Sequence, residues 1–162
     1  MKRPLLRLAA RTDAAALDAA GYAAALQHYE LNPLIFAMPQ PGSRQWSEEL
    51  LAESTEGVTF VAEVAGAVVG FARAVLVTEA RPLFAPATYG KVDSVAVLPA
   101  HRGRGVGTAL LRHAELWLRG QGCSEVRLNV WAFNSRAVRL YAERGYEPIS
   151  MFMAKRLGEH EA

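Results

Sequence analysis

The apolar positions of this chain switch between two periods, and the switches mark its elements. Val106, Leu110, Leu111, Ala114, Trp117 and Leu118 recur at helical spacing, which predicts a helix opening at Gly105 and ending at Gly120-Gln121-Gly122. Val58 to Val64 and Val68 to Val77 are β-rich runs flanking Ala65-Gly66, the pattern of an antiparallel hairpin. Leu5 to Ala9 predicts a short strand, and Thr12-Asp13 is expected to cap a helix reaching about Tyr29, where Asn32-Pro33 stops it. Pro33 to Ser43, with three prolines and Gly42, reads as a loop, and Ser47 to Glu53 as a shorter helix. Residues 79–88, holding Pro82 and Pro86, form a second loop before a strand from Tyr89 to Val97. After the long helix come a strand from Glu125 to Trp131 and a helix capped by Asn134, running to Arg144 and closed by Gly145. Tyr146 to Leu157 is expected to supply one or two closing strands.

A strand, a helix and a strand of these lengths imply that 89–97 and 125–131 lie parallel, joined by a right-handed crossover. The hairpin requires antiparallel pairing elsewhere, so the expected class is α/β (α+β), a mixed sheet with helices on both faces. The chain has 162 residues, expected to form one domain over 1–162, and its 51% apolar and 21% charged composition excludes a disordered chain. A formal charge of +2 is too mild to point to nucleic acid and suits a small polyanion equally well. No apolar window is long enough for a membrane span and the start lacks a signal-peptide stretch, so a cytoplasmic protein is expected. One cysteine allows no internal disulfide, and four scattered histidines show no metal-ligand spacing.

The chemistry concentrates where the predicted strand 89–97 meets the long helix: Val95-Ala96-Val97-Leu-Pro-Ala-His-Arg102-Gly103-Arg104-Gly105-Val106-Gly107-Thr108. Glycines at 103, 105 and 107 let backbone approach a ligand closely, and the first amides of a helix have no partners within it. A helix start also favours an anion through its dipole, and Arg102 and Arg104 add full charges. The turn therefore reads as a phosphate cradle. It is not a P-loop, because no Gly-Lys-Ser/Thr is present. Nor is it a dinucleotide fingerprint: the spacing is Gly-x-Gly-x-Gly, and the nearest acid, Glu125, precedes the next strand.

Arg102-x-x-Gly105-x-Gly107 after Val-Ala-Val-Leu-Pro resembles the acyl-CoA signature of the GNAT superfamily of N-acetyltransferases. A second stretch, from Leu128 to Pro148, is by itself a capped helix with a core tyrosine. It also resembles that family's second signature, with Asn134 opening a short helix, Tyr141 seven residues on and a closing Gly145-Tyr146. The resemblance spans about residues 91–148 and implies a mixed, mostly antiparallel sheet of six to seven strands. It further implies acetyl-CoA as co-substrate, its pyrophosphate on the amides of residues 102–108 and its pantetheine along Val95, Ala96 and Val97. Asn134 and Tyr141 would face the pantetheine and its sulfur, and Ala137 would also contact the cofactor. A homodimer, paired through the carboxyl-terminal strand, is a further expectation from the family.

Acetyl transfer to an amine sets its own requirements. A lysine-like amine is about 99.9% protonated at pH 7, so a base or a proton-conducting water chain is needed. Charge developing on the thioester oxygen needs an N–H, for which the resemblance points to Val97. The leaving thiolate can take a proton from a phenol, the role expected of Tyr141. For the base the choice stays open between Asp93, which strand alternation puts on the side of Val95 and Val97, and Glu63 on the hairpin. Lys91 cannot serve while charged. Cys123 reads as a structural thiol, His101 as a solvated turn residue and Trp117 as core. His28 and Trp131 are candidates for an acceptor wall, Arg136 and Arg139 for a phosphate contact or a solvated basic face, and Trp46 suggests no role. The acceptor is expected to be a primary amine on a small molecule or peptide, attacking directly in a ternary complex. Its specificity is expected to lie in residues 28–48 and 78–90. The alternative is a non-catalytic acyl-CoA sensor on the same fold.

Overall fold

Strand order follows chain order in a computed structural model, which describes residues 3–157; the remaining ends of the expected domain, 1–2 and 158–162, lie outside the described residues. Strands β1 (Leu5–Leu8), β2 (Gly57–Val64), β3 (Ala67–Glu79) and β4 (Ala87–Val97) pair antiparallel in turn, and β5 (Val126–Leu128) joins β4 in parallel. The mixed, mostly antiparallel sheet is as expected, but it has five strands among the described residues rather than six to seven. Tyr146 to Leu157 makes no strand. A β-prone segment becomes a strand only where an edge accepts its backbone groups, and Pro148 removes one donor from this one. The hairpin turns at Ala65 and Gly66, both with positive φ, the geometry of a two-residue primed turn.

The sheet alternates its side chains between two helical layers. Helix α3 (Val106–Gly120) buries Val106, Leu110, Leu111, Ala114 and Leu118 against Phe60, Ala62, Ala72, Ala74 and Val92. Gly90 is the point of closest approach there, since a Cβ would lie 2.8 Å from the Leu118 methyls. On the opposite face α1 (Ala14–Leu31) and α2 (Gln45–Leu50) cover Val61, Phe71 and Ala96 with Leu17, Ala20 and Leu50. Trp46, opaque in the sequence, packs its ring directly on Gly21 of α1, where a Cβ would stand 2.2 Å from it. The Asp18 carboxylate fixes the start of α2 by accepting both the Ser47 N–H and hydroxyl at 2.7 Å.

Asp13 does not cap α1 through its side chain, as the sequence suggested. Its carboxylate is buried, accepts the Ala10 N–H at 2.8 Å, and takes two bonds from Arg7 at 2.7 and 2.9 Å. An arginine fork satisfies a buried carboxylate better than one exposed helix-start amide, so the charge pair wins over the cap. Arg7 also binds Glu63 at 3.2 Å, which ties Glu63 into the same charge cluster. The Arg7 guanidinium holds the Asp13 carboxyl below the usual carboxylate range. A depressed folded-state pKa adds stability above the unfolded value, near 3.9, and loses it as pH falls through the folded value. Asp13→Asn should therefore melt lower at pH 7 by about 1.5–3 kcal/mol. The gap to the parent protein should close below about pH 4 in melting curves, and a gap constant with pH would exclude this pairing as its source.

Candidate active site

Between β4 and β5 the sheet opens. Their ladder runs from Gly90–Val126 to Val92–Leu128 and stops, although β4 continues to Val97. At that point β4 carries an extra residue: Ala74 faces Val92 and Arg73 faces Ser94, which leaves Asp93 without a partner in β3. This bulge shifts which residues turn their backbone to the open edge. Leu98 donates its N–H to the Val69 carbonyl at 2.9 Å. Antiparallel alternation then makes Val97–Gly70 and Val95–Ala72 the non-hydrogen-bonded pairs, so the peptide groups of Val95 and Val97 point away from β3. They face the side on which β5 has already ended.

Gly70 permits this arrangement from the other side, because a Cβ there would lie 2.6 Å from the Ala96 carbonyl oxygen. The bulge also breaks the alternation expected for Asp93. Instead of extending the row of Val95 and Val97, Asp93 is exposed and its carboxylate pairs with Lys91 Nζ.

The glycine turn follows at the carboxyl end of β4. Pro99–His101 forms one 3-10 turn, and Gly105 then caps α3 in the left-handed region at φ +79°, with Gly103 at +73°. The first α3 bond outside the helix interior is Ala109 N–H to the Gly105 carbonyl. The six preceding amides, from Gly103 to Thr108, donate to no carbonyl or side chain among the described residues. Consecutive free amides at a helix start form an anion-binding concavity.

Charge surrounds that concavity. Arg102 is half-buried and committed, donating from Nε to the Val97 carbonyl at 2.8 Å and from Nη2 to the Ala23 carbonyl of α1 at 3.3 Å. It therefore ties α1 to the end of β4, a structural task that its place in the motif did not reveal. Burial, and then the neighbouring Arg136, push the Arg102 guanidinium below its ordinary pKa. Arg136 reaches over the turn from α4 (Ser135–Glu143), its Nη2 3.3 Å from where a Gly103 Cβ would stand. Two guanidinium groups close together mark a region of positive potential.

Helix α4 starts as expected, with Asn134 Oδ1 accepting the Ala137 N–H at 3.3 Å. Tyr141, on the second turn, packs against the α3 core and lies edge-on to Tyr146 with ring centres 5.8 Å apart. Its hydroxyl has no hydrogen-bond partner among the described residues, whereas Tyr146 donates its own to Glu115 at 2.9 Å. Burial pushes the Tyr141 phenol above its ordinary pKa.

The connection from β5 to α4 brings in a group that local sequence patterns could not collect. Phe36 stacks on His28 at 5.1 Å and stands edge-on to Trp131 and Phe133, at 5.1 and 6.0 Å. Trp131 and Phe133 are stacked at 5.7 Å. The sequence offers His28 and Trp131 only as separate candidates and Phe133 not at all; its available signal is two aromatics spaced by one residue just before a helix cap. Cys123 packs against the α3 core, consistent with a structural thiol.

Comparison with known proteins agrees with this architecture. A streptothricin acetyltransferase of Streptomyces lavendulae is 30% identical over 115 residues, covering 70% of this chain and 57% of that protein. A mycothiol acetyltransferase of Thermobispora bispora is 39% identical over 87 residues, or 54% of this chain and 29% of that one. The chain thus spans less than two thirds of the length of these relatives. Among solved structures, a mutant BH1408 protein from Bacillus halodurans superposes with a TM-score of 0.86 at 17% identity, over 94% of this chain and 99% of that one. The aminoglycoside N-acetyltransferase AAC(6′)-Iy in complex with CoA does so at 0.69 and 20% identity, over 95% and 94%. The shared fold extends the resemblance read from the two signatures. The acetyltransferase (GNAT) family model itself matches residues 22–146, from α1 through the cradle to the closing Tyr146, and the chain belongs to that family.

Proposed function

We propose that this protein transfers the acetyl group of acetyl-CoA to a primary amine by direct attack in a ternary complex. The observation that carries the reading is the run of six unengaged amides at Gly103–Thr108, continuous with the open edge of β4. A pyrophosphate fits the first, and the amides of a pantetheine arm fit the second as an added strand would. Val95 and Val97 supply the outward peptide groups for that arm. The Val97 carbonyl already accepts from Arg102, which leaves its N–H as the donor for a thioester oxygen.

In this reading the amine nitrogen bonds to the thioester carbonyl carbon and the C–S bond breaks. Tyr141 donates its proton to the departing sulfur and regains one from solvent. The amine's surplus proton leaves toward solvent through Asp93, at the exposed bulge. Asp93→Asn should remove the acidic limb of the rate profile, and retention of that limb would exclude the carboxylate. The relatives named for streptothricin and mycothiol acetylation, and the neighbour crystallised with CoA, support acetyl-CoA as co-substrate.

Thiol release from acetyl-CoA across a panel of primary amines tests the proposal. Release that requires both protein and amine is the expected result. Acetyl-CoA binding by calorimetry without release on any amine would leave the sensor reading, and no binding would refute both.

A homodimer is part of the same proposal. Ile149, Met151, Phe152 and Met153 are 73–96% exposed, and among the described residues β5 pairs with β4 alone. A second copy's carboxyl-terminal segment would cover both. Light scattering should then give twice the 17.6 kDa chain mass, and a monomer would refute it.

A further inference from the structure

The aromatic cluster joins α1 and the loop after it to the segment that follows β5. Trp131 and Phe133 follow the end of β5, Phe133 precedes the Asn134 cap of the helix that carries Tyr141, and His28 stands on α1 beyond the Ala23 carbonyl that holds Arg102. Together these residues link α1 and the 28–48 segment, where acceptor specificity is expected, to the segment that leads into α4. Trp131 nevertheless remains 40% exposed, so the cluster presents aromatic surface as well as burying it.

The charges of the surrounding segments are as informative. Residues 31–47, 94–114 and 126–142, which supply the loop after α1, the cradle and the β5–α4 unit, contain no aspartate or glutamate. They do contain Arg102, Arg104 and Arg136. Of the acids that bound these segments, Glu30 offsets Arg102, Asp93 is paired with Lys91, Glu115 with Arg144 and Glu125 with Arg127, which leaves Glu48 and Glu143. An acceptor with several ammonium groups would meet arginines with few carboxylates to balance them, which costs affinity in a partly dry site.

We infer that the acceptor carries its amine on an aromatic or apolar group that stacks on the Phe36, Trp131 and Phe133 rings, rather than on a polycationic scaffold. A single ammonium is compatible with this surface, because an aromatic face attracts one cation without needing a carboxylate. Burial lowers the His28 pKa, which favours the neutral imidazole and adds no repulsion near pH 7.

The inference rests on the acetyl-transfer reading, and its test is built to fail separately. Tryptamine, spermidine and kanamycin are offered to the protein, with binding followed by ligand-observed NMR and turnover by thiol release. Tryptamine should bind and should show a kcat/KM at least about tenfold above the two polycations. Trp131→Ala and Phe133→Leu should each raise the tryptamine KM about tenfold while leaving acetyl-CoA affinity unchanged. Preference for spermidine or kanamycin, or an unchanged tryptamine KM in both variants, overturns the inference while acetyl transfer stands. Trp131-dependent tryptamine binding without turnover on any amine overturns the transfer reading and leaves the recognition surface. Absence of tryptamine binding overturns the inference directly.

Discussion

Tyr141→Phe is expected to lower the turnover number for amine acetylation by about one to three orders of magnitude. Acetyl-CoA affinity should change less than about twofold, because the ring and its packing against the α3 core and Tyr146 are retained. Only the hydroxyl is lost, and that hydroxyl satisfies no other group among the described residues. The ring is packed while the hydroxyl stays accessible and uncommitted, which leaves it available to donate to a sulfur. Burial raises its pKa, so it stays protonated and able to donate throughout the neutral range. The parent protein should accordingly show no loss of rate from this group until pH exceeds about 10. Steady-state turnover, acetyl-CoA titration and a pH profile on parent and variant check the three statements together. Equal turnover in the two proteins would remove Tyr141 from the mechanism.

What could be read from the chain was what local spacing encodes. The α3 stripe, the Ala65-Gly66 hairpin, the Asn134 cap and the glycine-rich turn before α3 each depend on residues within one or two turns of each other, and each of these elements lies where expected. The bulge at Asp93 was not legible, because one extra residue in a strand leaves its composition unchanged. Its only trace was a carboxylate in an apolar run, which alternation misassigned to the row of Val95 and Val97. Asp13 was misread for a related reason: a helix cap is local, whereas its actual partner Arg7 sits in a strand and is shared with Glu63 of another. The aromatic cluster required residues 28, 36, 131 and 133 to meet, a contact that no periodicity records. The closing strands are absent although β5 leaves its outer edge unpaired among the described residues, so β propensity alone did not place them.

Gly105→Val should weaken acetyl-CoA binding by about tenfold to a hundredfold, a cost of about 1.4–2.8 kcal/mol. Gly105 stands at φ +79°, where a β-branched residue is strained, and nothing lies within 4 Å of the Cβ it would gain. Steric overlap is therefore not the cause; the turn itself must change to relieve about 1–3 kcal/mol of backbone strain. That change rotates the peptide groups on either side, and these are the amides assigned to the pyrophosphate. Gly105→Asn separates conformation from side-chain size, since asparagine visits the left-handed region at little cost and should keep most of the affinity. Gly120→Ala, at the other end of α3 with open space around it and no positive φ, is the control expected to bind as the parent does. Melting curves show which variants remain folded, and calorimetry on those reads the affinity. A folded Gly105→Val protein that binds acetyl-CoA like the parent would mean that the phosphates do not rest on this turn. The order parent, asparagine, valine in decreasing affinity would tie binding to the direction of the amides rather than to the charge of the neighbouring arginines.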